Sequence, residues 1–184
     1  GRGVVWVTGH VGNWELLAAG LGARGHDVRP FAKESYDPRL TDLIDSWRTA
    51  VGVRTIWRRR GDVEAEVAET LAGGGIVGVL MDQDTRVRGA FVPVFGRDAW
   101  TPTGAAELAL SSGAPLLAGF VRRRPAGGHE MRVSRLALPE SGDGAVEELT
   151  AELTARIEER IRQRPEDWVW MHERWRTRPE SEAA

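Results

Sequence analysis

The amino-acid sequence predicts an α/β fold, a layered domain with a central, mostly parallel sheet flanked by helices. Short apolar, β-branched runs such as Val4-Val5-Trp6-Val7 and Ile76-Val77-Gly78-Val79-Leu80 alternate with longer segments whose apolar residues recur at helical spacing. Glycines punctuate the alternation at Gly25, Gly52 and Gly73-Gly74-Gly75. No repeat, low-complexity tract or linker interrupts the 184 residues, so the chain reads as one domain long enough for a real core.

Taken in order, residues 4–8 form a first strand and residues 14–24 a first helix that Gly25 closes. Asn13 is a good N-cap for that helix, because its side chain can accept from an unpaired backbone N–H of the first turn. Asp27 to Phe31 is a second strand, and Lys33 to Asp37 a polar loop. Pro38 suits the first turn of a helix to Ala50, with Leu40, Leu43, Ile44 and Trp47 on one face. Val53 to Trp57 is a third strand. A helix follows, with Val63, Val67 and Leu71 at helical spacing, and Ile76 to Met81 is a buried strand. Residues 85–100 read as a long irregular loop, a type usually functional or mobile. Thr101-Pro102-Thr103 opens a helix to Ser112, Leu116 to Val121 and Met131 to Leu138 are strands, and residues 139–144 a turn. Val146, Leu149, Leu153, Ile157 and Ile161 make a regular stripe on a helix over 145–163, which Pro165 stops. The segment from Trp168 to Trp175 has no clear period.

Composition narrows the function. Hydrophobic residues at 41% and charged residues at 28% are ordinary for a globular domain, and a net charge of −2 offers no basic footprint for nucleic acid. There is no cysteine, hence no disulfide, thiolate metal site or cysteine nucleophile. No apolar run approaches the roughly 20 residues of a membrane span. The sequence begins without Met and almost inside a strand, so it reads as an N-terminally truncated fragment.

The chemistry concentrates in Gly9-His10-Val11-Gly12-Asn13-Trp14-Glu15. His10 stands on a loop after a strand, and Glu15 in the first turn of a helix. Residues five apart on one continuous helix point away from each other, but a glycine bend lets an imidazole and a carboxylate at this spacing meet. The carboxylate would hold one ring nitrogen and leave the other to take a proton from a hydroxyl. The plainer alternative is a loop histidine beside a glutamate that complements the helix dipole. Asp82-Gln83-Asp84 also follows a strand directly, and ligands of such sheets sit off the carboxyl ends of strands, so both stretches point to one site. Its oxyanion donors would be the backbone N–H of Gly12 or Asn13, or one of Arg58, Arg59 and Arg60. Asp82, Gln83 and Asp84 would position an acceptor or hold an arginine. Arg122-Arg123-Arg124, Arg174, Arg176 and Arg178 would meet lipid phosphates or an acidic carrier protein, or simply be solvated.

Four ordered segments resemble a known family. Gly9-His10-Val11-Gly12-Asn13-Trp14-Glu15-Leu16 resembles the "GHxGNWEL" signature of the bacterial lipid A late acyltransferases, in the lysophospholipid acyltransferase-like group. Met81-Asp82-Gln83-Asp84 resembles their "DQD" segment, Val92-Pro93-Val94-Phe95-Gly96 their "PFFG" segment, and residues 165–179 their tryptophan- and arginine-rich C-terminus. Val11 and Val94 stand where an aromatic is common, and Glu173 where a basic residue is. The resemblance implies a glycerolipid acyltransferase-like fold and an enzyme that moves an acyl chain from a thioester to a glycolipid hydroxyl. In it His10 would be the general base and Glu15 would orient the ring. It implies acyl carrier protein or acyl-CoA as donor, a lipid A-type acceptor, and no cofactor. It also implies a longer N-terminal part that carries a membrane-associated segment, and a place on the cytoplasmic face of the inner membrane. Relatives that acylate phosphoinositide mannosides often carry Asp where Glu15 stands, so Glu15 leans toward the lipid A type.

Other classes fit less well. His10, His26, His129 and His172 form no close ligand pair, which argues against a metal site. A strand, a glycine-containing turn and a helix also open a nucleotide-binding unit, but the G-x-G-x-x-G pattern is absent and Phe31-Ala32-Lys33 ends the second strand without an acid. A non-catalytic lipid-binding domain would have no need of both His10 and Glu15.

Overall fold

A computed structural model describes residues 2–140 and 142–179. Its sheet has six strands in the order β3-β2-β4-β1-β7-β8. These are β1 (Val4–Thr8), β2 (Val28–Ala32), β3 (Ile56–Trp57), β4 (Ile76–Leu80), β7 (Leu116–Arg123) and β8 (His129–Leu136). All neighbours run parallel except β7 and β8, which form an antiparallel pair. The α/β class with a mostly parallel sheet is therefore as the sequence predicts.

Alternation along β1 divides the core. Val5 and Val7 face one side, where α4 (Gly104–Ser112) and α5 (Ala145–Gln163) cover the sheet with Ala106, Ala109, Leu149, Leu153 and Ile157. Trp6 faces the other side, where Leu17 and Leu21 of α1 (Trp14–Gly22) meet Val28, Ile76 and Val121. The α5 stripe is buried as its period predicts.

Several elements differ from the sequence reading: the third strand, expected from Val53, spans only Ile56–Trp57, and Thr101 and Pro102 end a strand instead of opening a helix. The supposed loop at 85–100 contains a hairpin of β5 (Gly89–Val94) and β6 (Arg97–Pro102), closed by Phe95 and Gly96 with φ of 51° and 81°. Positive φ at both central residues is the two-residue turn that matches strand twist. α2 (Pro38–Ala50) is present, but its apolar stripe faces outward, with Leu40, Leu43 and Trp47 exposed. The opposite, polar face is what docks. Thr41 accepts from the Ser35 N–H, Asp45 accepts from the Trp57 indole, and Arg48 reaches Thr55 and Glu15. α3 (Val63–Ala72) links β3 to β4. No helix among the described residues is long and apolar enough to cross a membrane.

Candidate active site

Sheet register builds the site. β1 and β4 are parallel neighbours with Thr8 opposite Leu80, so continuing two residues past each strand end brings His10 beside Asp82. The His10 Nδ1 lies 2.8 Å from Asp82 Oδ1, and the His10 backbone N–H donates to Oδ2 at 2.8 Å. The Trp168 indole donates to Oδ2 as well, at 2.9 Å. A side chain on Gly9 would meet Ile157 at 2.9 Å and the Asp82 carboxyl at 3.1 Å, so the residue before His10 must be small for this closeness.

The C-terminal segment holds the loop. Gly12 donates to the Asp167 carbonyl at 2.8 Å, Val169 donates to the His10 carbonyl at 3.1 Å, and Val11 bridges Trp168. Gly12 has a φ of 69°, and a Cβ there would lie 2.5 Å from the Val121 carbonyl oxygen. The segment from Trp168 to Trp175, without a period in the sequence, is thus the clamp on the site.

Asp82 is buried. Burial raises its pKa, but hydrogen bonds from the His10 ring, the charge of that ring, the Trp168 indole and the His10 N–H together hold it below the ordinary carboxylate range. An ionised Asp82 accepts from Nδ1–H and so assigns the neutral imidazole's lone pair to Nε2. None of the described residues hydrogen-bonds Nε2. The ring packs edge-on to Trp14 at 5.0 Å between centroids.

The carboxylate that holds the ring is therefore Asp82, where the sequence reading gave that place to Glu15. Glu15 instead receives a two-pronged bond from Arg48, at 2.9 and 2.5 Å. Arg48 went unrecognised in the sequence because it lies on the polar face of α2, which reads as solvated. Both residues line the same cavity as His10.

Among the other expected site residues, Gln83 and Arg58 line this cavity. The Gly12 N–H is already bonded to Asp167, so it is no free oxyanion donor. The Asn13 side chain caps α1 through the Leu16 N–H. The Arg59 backbone N–H donates to Glu34, and Arg60 lies over the Trp57 ring with Asp42 at 3.7 Å. Asp84 accepts from the Thr177 N–H and hydroxyl, which holds the C-terminal segment at Thr177. Arg174 is no contact for a substrate here. It is 2% exposed, outside the cavity, and donates to the Trp100 carbonyl and the Thr101 hydroxyl. Burial lowers its pKa, and the charges of Asp82 and Asp84 oppose that shift.

The cavity has a volume of about 460 Å³. Trp6, Leu17, Leu21, Val28 and Ile76 line one part of it, and His10, Glu15, Arg48, Arg58 and Gln83 another. Ile76 and Leu80 begin and end β4, so the apolar trench runs along the strands for about 13 Å. Among the described residues, no group of three or more His, Cys, Asp or Glu is placed to hold a metal.

Comparison with known proteins gives the same direction. A family model described as bacterial lipid A biosynthesis acyltransferase matches residues 1–177. The lipid A biosynthesis lauroyltransferase of Escherichia coli (strain K12) is 31% identical over 190 residues, covering 97% of this chain and 58% of that protein. The phosphatidylinositol mannoside acyltransferase of Mycobacterium tuberculosis (strain ATCC 25618 / H37Rv) is 26% identical over 180 residues, covering 95% of this chain and 55% of that protein. The chain thus spans little more than half the length of these relatives.

Proposed function

The chain belongs to the bacterial lipid A biosynthesis acyltransferase family, and from that premise we propose that it transfers a fatty acyl group from a thioester to a hydroxyl of a lipid A-type glycolipid. The observation that carries the reading is the His10–Asp82 pair at the polar part of an apolar trench.

In this mechanism Nε2 of His10 takes the proton of the acceptor hydroxyl as its oxygen attacks the thioester carbonyl carbon. A C–O bond forms, the carbonyl becomes a tetrahedral oxyanion, and its collapse breaks the C–S bond. The imidazolium returns its proton to the departing thiolate. Asp82 is a positioning residue: it fixes the tautomer and stabilises the imidazolium without itself becoming protonated. Arg48, held by Glu15, and Arg58 are the cations that meet the oxyanion. The acyl chain lies in the trench. No acyl-enzyme is needed, and the proton path runs through His10 alone, so the mechanism calls for no metal or cofactor. The donor is acyl carrier protein or acyl-CoA, and the reaction takes place at the inner membrane surface, where the glycolipid resides.

Identity to the lauroyltransferase exceeds that to the mannoside acyltransferase, which favours the lipid A-type acceptor over the phosphoinositide mannoside. The test is thiol release from a long-chain acyl thioester with each acceptor, followed by mass spectrometry of the lipid. Mass gain on the lipid A-type acceptor, lost on His10→Ala, supports the reading. Thiol release with no acylated lipid contradicts it.

A further inference from the structure

Three arginines are buried, Arg29, Arg160 and Arg174. Arg29 meets Asp27 at 3.0 Å and Arg160 meets Asp167 at 2.9 Å. Arg174 is the most enclosed of the three, yet among the described residues no carboxylate stands within ion-pair distance of it. Its guanidinium donates instead to two neutral acceptors on β6, the Trp100 carbonyl and the Thr101 hydroxyl.

Asp82 is in the reciprocal position. It is buried, and its donors are the His10 Nδ1–H, the His10 backbone N–H and the Trp168 indole, all neutral while the imidazole is neutral. Asp82 and Arg174 line one void of about 10 Å³, which Val94, Ile157 and Trp168 complete with their apolar parts. The other charged groups nearby are already used. Glu158 of α5 also lines the void, but its oxygens accept from the Phe95 N–H and from Arg162. Asp84, whose charge also reaches Arg174, accepts from Thr177 and Arg176. On the cavity side, Glu15, Arg48 and Arg58 line the space that His10 opens into. A buried guanidinium with neutral acceptors and a buried carboxylate with neutral donors thus share one enclosed space.

A lone charge is costly to bury, and opposite charges in one low-dielectric region offset that cost for each other without touching. We propose that Arg174 is a positioning residue for the His10–Asp82 pair, a counter-charge that acts on the carboxylate across the void and keeps it an acceptor for the ring. His10 and Trp168, which touch Asp82, act on it more strongly. The counter-charge matters most when His10 becomes an imidazolium. Passing the Nδ1 proton to Asp82 would leave Arg174 unbalanced, so the proton stays on the ring. The C-terminal segment therefore serves the site twice, with Trp168 by a hydrogen bond and with Arg174 by charge. The inference rests on the acyl-transfer reading for its part in turnover, but its test reads Asp82 alone.

The experiment is urea unfolding of the whole chain across a pH series, with and without D82N, in the unaltered, R174Q, R174K and T101V backgrounds. The quantity read is the pH at which the stability gap made by D82N closes. Loss of a nearby cation raises the folded pKa of Asp82 and leaves the unfolded value alone, so the gap closes at a higher pH. R174Q should move that pH up by about half a unit or more. R174K keeps the charge and should hold it within about 0.2 unit of the unaltered chain. T101V removes a hydrogen bond to Arg174 but no charge, so it should lower stability and leave the closing pH in place. The inference is overturned if R174Q leaves the closing pH where it was, or if R174K or T101V moves it as far. Where R174Q does not fold in buffer, the series is run in sucrose, which favours the compact state of every variant. If R174Q stays unfolded there, D82N is added to it. Recovered folding supports the charge pair, and no recovery makes Arg174 a structural tie and overturns the inference. A chain that transfers acyl groups while the closing pH stays fixed removes this inference and keeps the transfer reading. A chain without transfer whose closing pH moves does the reverse.

Discussion

The His10 ring and the Asp82 carboxylate meet at 2.8 Å although seventy-two residues separate them. Parallel pairing of β1 with β4 makes that contact, and the Trp168 indole fixes the carboxylate from behind.

The Glu15 side chain is 47% open to solvent but that of Arg48 only 13%, and Arg48 also donates to Thr55 as α2 docks. Arg48→Met should therefore cost about 1–3 kcal/mol of stability, while turnover falls by about tenfold or more, as expected when a charged hydrogen bond to the reacting centre is lost. An unchanged turnover with a clear loss of stability would make the pair a structural tie only.

Gly12→Ala should be the costly conservative change. The substitution places a Cβ 2.5 Å from a backbone oxygen and at a φ of 69°, so strand β7 or the loop must shift. A loss of about 1–3 kcal/mol is expected from such strain. Urea unfolding checks it, and an unaltered midpoint would contradict it.

The depressed pKa of Asp82 fixes a sign. A carboxylate whose folded pKa lies below its unfolded value adds stability that is fully present above the unfolded pKa of about 3.9 and is lost as pH falls through the folded value. The gap in stability between the unaltered chain and Asp82→Asn should thus stay level from pH 7 to about pH 4 and close only below that. Denaturation across a pH series checks it, and a gap that closes between about pH 7 and pH 5 would show that burial raises the Asp82 pKa above the ordinary carboxylate value.

Transfer should survive exhaustive chelation, because the proton path proposed here runs through His10 and, among the described residues, no ligand set is spaced for a metal. A loss that zinc or magnesium restores would contradict this.

Much of the fold was legible because periodicity marks elements directly. The buried β1 and β4 runs and the α5 stripe are examples. The two halves of the site were legible separately, each as a polar residue just past a strand. That they share one site was legible too, but the direct contact of His10 with Asp82 was not, since the register between two parallel strands depends on what lies between them. Glu15 drew attention as the carboxylate nearest in sequence, while space favoured Asp82. Arg48 was hidden by an inverted helix. An apolar stripe normally faces the core, yet α2 docks through Thr41, Asp45 and Arg48 and leaves Leu40, Leu43 and Trp47 outside. The β5–β6 hairpin was obscured by Pro93 and Pro102, which break the usual strand pattern and sit at an edge and a strand end.

The central claim is that His10 and Asp82 act as one unit in acyl transfer, and a double-mutant cycle on turnover tests it most directly. His10→Ala should cost about 10²–10⁴ in rate, and Asp82→Asn a comparable factor through the wrong tautomer. Residues that act as a unit are not additive, so the double variant should be no slower than His10→Ala alone. Losses that multiply, or an Asp82→Asn variant that keeps the rate of the unaltered chain, would contradict the account.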